Sequence, residues 1–142
     1  MHEVHPNLLW IGHALELRNP RALFSLGISA VVDVAYEELP AQLPRQLIYC
    51  RFPINDGGGN DPALLRQTIQ TLVDLWIAGT PVLVGCSAGL SRSPIFSAMA
   101  LSVCLDQSPV EVINRIAAVK SLEISGVLWH DALQVLPYVK RR

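Results

Sequence analysis

The chain has 142 residues, 51% apolar and only 16% charged, so it has the length of one domain, can bury a core and is not a disordered segment. Eleven basic against twelve acidic residues leave a net charge of −1, which argues against a nucleic-acid or membrane-surface partner. No apolar run approaches the roughly 20 residues of a membrane helix, and residues 1–6 carry no secretory pattern. Cys50, Cys86 and Cys104 make an odd count without metal-site spacing, as expected for the cytoplasm.

Residues 8–11 predict a first strand, with Gly12 turning the chain. Asn19 before Pro20 predicts a short helix, an N-cap followed by proline in the first turn, which Gly27 stops. Residues 30–35 predict a buried second strand with an unusual Asp33 inside it. Residues 36–46 hold two prolines and predict a loop with at most a helical turn. Residues 47–54 predict a third strand, where Pro53 marks an edge or an end. Gly57, Gly58 and Gly59 predict a mobile loop, and Asp61 before Pro62 an N-cap.

Leu65, Ile69, Leu72 and Trp76 predict an amphipathic helix over 62–78, closed by Gly79. Val82, Leu83 and Val84 predict a strand buried on both faces. The next helix spans 92–105, where Ser97, Ala98 and Ala100 allow close packing. Ser108 and Glu111 predict a capping box opening a helix with Val112, Ile113, Ile116 and Ala117 inward. Ser125 predicts the cap of a last helix over about 126–139, with Trp129, Leu133 and Leu136 inward. Lys140, Arg141 and Arg142 follow at its end, where they suit the helix dipole and form a solvated tail. Strands that alternate with helices predict an α/β single domain over residues 1–142, a mostly parallel sheet of four to five strands with helices on both faces.

Cys86 lies where the buried strand ends, and Arg92 follows at the start of a helix. Between them stand Ser87, Ala88, Gly89, Leu90 and Ser91, slim residues in a loop that Gly89 can turn through positive φ. A helix N-terminus and a nest of inward N–H groups suit a phosphate or sulfate. Arg92 adds a two-pronged clamp for phosphate oxygens. The same field favours the Cys86 thiolate, placed to attack phosphorus. Ser93 is placed to donate a hydrogen bond to the sulfur.

Cys-x5-Arg-Ser, as Cys86-Ser-Ala-Gly-Leu-Ser-Arg92-Ser93, resembles the signature of the cysteine-dependent protein phosphatases, and its dual-specificity branch most closely. The family usually has His before the cysteine; this chain has Gly85. The resemblance implies a phosphomonoester hydrolase with a phosphocysteine intermediate on Cys86, oxygens held by Arg92, and no cofactor or metal. Pro53-Ile54-Asn55-Asp56-Gly57 resembles the segment that carries the general acid, which implies Asp56 for that role and leaves Asp61 as the alternative. It also implies that Asp33 supports the active loop from behind. Neutral loop residues lean toward a phosphorylated protein or peptide as substrate.

A different class of function is a phosphate-binding pseudophosphatase module, for which Gly85 is the supporting feature. Arsenate reduction or sulfur transfer ranks last, because the motif stands at residue 86, after several strands. Cys50 and Cys104 read as small core residues, though the resemblance makes Cys50 a candidate resolving cysteine. Arg51 reads as an exposed strand residue or as a second contact of the phosphate site. His2, His5, His13 and His130 show no metal spacing.

Overall fold

The computed structural model describes residues 1–141. Five strands build one sheet: β1 (His2–His5), β2 (Leu9–Gly12), β3 (Ala30–Asp33), β4 (Ile48–Arg51) and β5 (Val82–Gly85). Their spatial order is β1-β2-β5-β3-β4. β2, β5, β3 and β4 run parallel, and β1 is antiparallel to β2. β5 is central, which explains why Val82, Leu83 and Val84 are all apolar: each is at most 2% exposed.

Strand side chains alternate between faces, and two cores follow from that period. Leu9, Ile11, Ala30, Val32, Val82 and Val84 face the larger core, under α3 (Pro62–Ile77), α4 (Arg92–Leu105), α5 (Pro109–Ala117) and α6 (Gly126–Val135). Trp10, Val31 and Leu83 face the smaller core with Leu17 of α1 (Ala14–Leu17) and Leu23 of α2 (Pro20–Ser25). Helices therefore cover both faces, and the carboxyl ends of the parallel strands converge on one rim, where open α/β sheets bind ligands.

The N-caps form as expected, except that the capping box predicted at Ser108 and Glu111 is only half made: no Glu111 carboxylate contact to the Ser108 N–H is present among the described residues. The Asn19, Asp61, Ser108 and Ser125 side chains accept from the N–H groups of Ala22, Ala63, Glu111 and Leu128. Gly27 and Gly79 follow their helices at φ 76° and 71°. β4 is an edge strand and ends before Pro53.

Several expectations change. The chain has a strand before the first one predicted; β1, with the sequence His-Glu-Val-His, has no apolar alternation to announce it. Gly12 does not turn the chain but closes β2, level with Gly85 of β5. The one-turn helix α1 is too short for a periodic pattern and is capped by His13, whose ring accepts from Glu16 N–H while the Glu16 carboxylate accepts from His13 N–H.

Ala117 is exposed, and Ile113 only half-buried, because α5 seats Val112 and Ile116. The fully buried face of α6 is Leu128, Ala132 and Val135, one residue off the predicted set; Trp129, Leu133 and Leu136 are half-buried beside it. α6 stops at Val135 and tightens into a 3₁₀ turn at Leu136–Tyr138, which contains Pro137. Lys140 is not free tail backbone: buried Gln70 of α3 accepts from its N–H at 2.8 Å and donates to its carbonyl at 2.7 Å. Arg142 lies outside the described residues. No helix among the described residues is long and apolar enough to cross a membrane.

Candidate active site

The loop at residues 86–91 leaves central β5 and enters α4, so its position is set by a fully buried strand and a largely buried helix. Cys86 is 2% exposed, and its N–H donates to the Gly12 carbonyl at 3.2 Å. Gly89 takes φ 75° and donates its N–H to Cys86 Sγ at 3.2 Å. A Cβ there would stand 3.0 Å from the Gly12 carbonyl carbon, so the turn needs glycine for both conformation and space. The N–H groups of Ser87, Ala88, Leu90 and Ser91 make no hydrogen bond with the described residues.

Arg92 is 4% exposed at the first position of α4. Its NH1 donates to Glu37 Oε1 at 2.6 Å and to the Ile54 carbonyl at 2.8 Å, and its NH2 donates to Glu37 Oε2 at 2.5 Å. Its buried Nε has no partner. The Arg92 guanidinium holds the Glu37 carboxyl down to about 2, helped by the Ser87 hydroxyl, which donates to Glu37 Oε2 at 2.6 Å. Burial works against the Arg92 charge, but Glu37, with Cys86 and Asp56, outweighs it and raises the pKa. Glu37 escaped the sequence reading because it lies in an irregular connection with no pattern of its own.

That connection is held from two sides. Arg51 NH2 donates to the Glu38 carbonyl at 2.9 Å and to the Tyr36 carbonyl at 3.4 Å, so Arg51 braces the segment bearing Glu37 and is not a lining residue of the phosphate site. Asp33 is fully buried; its carboxylate accepts from Ala35 N–H at 3.2 Å and from the Tyr49 hydroxyl at 2.7 Å, and that hydroxyl accepts from Ala41 N–H. The expectation that Asp33 supports the active loop from behind is corrected: its carboxylate bonds Ala35 and Tyr49, and so supports the connection after β3.

Asp56 comes from the β4–α3 connection and accepts the Ser91 hydroxyl at 2.7 Å, while Ser91 Oγ accepts from Ser125 N–H at 3.0 Å. Asp61 stays at the N-terminus of α3 as its cap and lines no part of the same cavity. Ser93 does not bond the sulfur in this structure: its buried hydroxyl donates to the Gly12 carbonyl at 3.3 Å, tying α4 to β2. Cys104 is buried and its thiol is pushed up to about 11 by desolvation, as for a core residue. Burial also raises the Cys50 thiol pKa, and all three cysteines are free.

Glu37, Asp56, Cys86, Ser87, Ala88, Leu90, Ser91, Arg92 and Glu123 line one cavity of about 220 Å³. Clefts that bury whole drug-sized ligands run to roughly 300–1,000 Å³, so this one suits a small group such as a phosphoryl, with the rest of the molecule outside. Glu123, also not foreseen, stands in the α5–α6 connection, and its N–H donates to the Leu90 carbonyl at 3.0 Å.

No family model matches this chain, and no curated protein sequence matches it. Solved structures do. Human DUSP28 superposes with a TM-score of 0.84 at 21% identity, over 97% of this chain and 96% of that one. Human tyrosine phosphatase-like serine/threonine/tyrosine-interacting protein gives 0.81 at 16% identity, over 97% and 96%. PTPMT1 in complex with PI(5)P gives 0.74 at 17% identity, over 96% and 94%. The chain thus has the fold of the dual-specificity phosphatases. Fold alone does not assign the reaction; the site must.

Proposed function

We propose that the chain is a cysteine-dependent phosphomonoester hydrolase acting on phosphorylated proteins or peptides, and that residues 1–142 form its catalytic domain. The observation that carries this is a single one. Cys86, the clamp Arg92 with its unpartnered Nε, and the carboxylate Asp56 meet in one small cavity, although Asp56 comes from the β4–α3 connection and not from the β5–α4 segment that carries Cys86 and Arg92.

In this reading the Cys86 thiolate forms an S–P bond as the P–O bond to the leaving group breaks, and the departing oxygen takes a proton from Asp56. Water then attacks the phosphocysteine, Asp56 takes its proton, and the S–P bond breaks to release phosphate and the thiolate. Arg92 and the loop N–H groups of Ser87 to Ser91 stabilise the equatorial oxygens as charge spreads. The incoming phosphate takes Arg92 Nε and competes with Glu37 for NH2. Ser93 acts by fixing the loop against β2. The cytoplasm is the expected location.

The test is hydrolysis of p-nitrophenyl phosphate in the presence of chelator, wild type beside Cys86→Ser. Turnover that vanishes in the variant is the expected result. No turnover with vanadate still bound would assign the chain to phosphate recognition without chemistry.

A further inference from the structure

We infer that this cavity selects phosphopeptides with basic residues flanking the phosphorylated side chain, and that Glu123 is a residue determining that preference. The inference takes its phosphate from the reading above; its charge preference stands on the rim.

The lining side chains hold one guanidinium, Arg92, and three carboxylates, Glu37, Asp56 and Glu123. The carboxylates arrive from three different connections: β3–β4, β4–α3 and α5–α6. They are not equivalent. Glu37 is neutralised by Arg92. Asp56 accepts the neutral Ser91 hydroxyl and interacts electrostatically with Arg92. The Glu123 side chain has no hydrogen bond or ion pair among the described residues, while its backbone is pinned to Leu90 of the phosphate loop. Behind Glu37, Glu38 also accepts from Ser87 Oγ, at 3.1 Å, and its nearest cation, Arg18 NH1, is 3.9 Å away.

The floor is built for an anion, since buried Arg92 keeps an unpartnered Nε, and the mouth is built against a second one. The cavity is too small to hold more than the phosphoryl end, so flanking groups must pass these carboxylates. Lysine or arginine there pairs with Glu123, whereas acidic flanks or a polyanionic headgroup meet like charge. Exposed pairs of this kind change affinity by about two- to fivefold each, and they weaken with salt.

The experiment uses Cys86→Ser protein, which keeps the cavity without turnover. It is titrated with labelled peptides bearing one phosphotyrosine or phosphothreonine between lysines or between glutamates, otherwise identical. Unphosphorylated peptides and phosphatidylcholine vesicles carrying phosphatidylinositol monophosphate are titrated alongside. Lysine-flanked phosphopeptides are expected to bind about fivefold more tightly than glutamate-flanked ones at low salt. The gap should narrow at high salt, and Glu123→Lys on the same background should abolish or reverse it. Equal affinities, a gap that Glu123→Lys leaves intact, unphosphorylated lysine peptide binding as well, no phosphopeptide binding, or tighter binding to the vesicles would each overturn the inference. Failure of the catalytic reading shows separately, as absent wild-type turnover of p-nitrophenyl phosphate.

Discussion

Gly85 and Leu17 meet at the point where β5 hands the chain to the phosphate loop: a Cβ at position 85 would stand 2.4 Å from Leu17 Cδ2. Gly85 is ordinary strand backbone, so its conformation does not demand glycine. The demand is spatial. Position 85 shares a face with Leu83, and that face is filled by fully buried Leu17 of α1. The glycine found where the family usually has histidine is thus matched to α1, and it need not signal loss of chemistry.

This pairing predicts strong coupling between the two positions. Gly85→Ala should lose about 1–3 kcal/mol by overpacking, and Leu17→Ala about 2–5 kcal/mol by leaving a cavity. The double variant should cost less than the sum by at least about 0.5 kcal/mol, measured by urea unfolding. Gly85→His should destabilise more than Gly85→Ala and be relieved in the Leu17→Ala background. Strict additivity would remove the steric account.

Glu37 competes with phosphate for the Arg92 fork. Glu37→Gln keeps the side chain's size and withdraws its charge, so inorganic phosphate or vanadate should inhibit the variant at several-fold lower concentration. An unchanged inhibition constant would mean that the ligand reaches Arg92 entirely through Nε, without contest.

The same pair sets a dependence of stability on pH. The Glu37 carboxyl falls from 4.5 to about 2 on folding. A depressed folded-state pKa contributes stability that is present above the unfolded value and is lost as pH falls through the folded one. The stability difference between wild type and Glu37→Gln should therefore be steady above about pH 5 and shrink between pH 4.5 and about 2. A difference that disappears already near neutral pH would contradict the pairing.

Asp56 and Asp61 separate by leaving group. Asp56→Ala should slow alkyl phosphates by about 10²–10⁴-fold and p-nitrophenyl phosphate far less, because only the poor leaving group needs the proton. Asp61→Ala should instead cost about 1 kcal/mol of stability, the loss of an N-cap, with no such discrimination. Equal loss on both substrate classes in Asp56→Ala would move the acid elsewhere.

Local chemistry made much of this protein legible before any coordinates. The period of Leu65, Ile69 and Leu72, the caps at Asn19, Asp61, Ser108 and Ser125, and the apolar run at Val82 depend on neighbours within a few residues, as helices and strands do. The Cys86–Arg92 loop was legible for the same reason, since nucleophile, glycine turn and clamp lie within one short segment. β1 and α1 were not, because His-Glu-Val-His has no apolar alternation and a single helical turn shows no period. What only the tertiary structure decided lies between residues far apart in the chain. Glu37 reaches Arg92 across 55 positions, Glu123 is pinned beside Leu90, and Leu17 takes the space at Gly85. Those contacts come from irregular connections and a single helical turn brought together by the parallel sheet, and no local pattern in the sequence encodes where such segments meet.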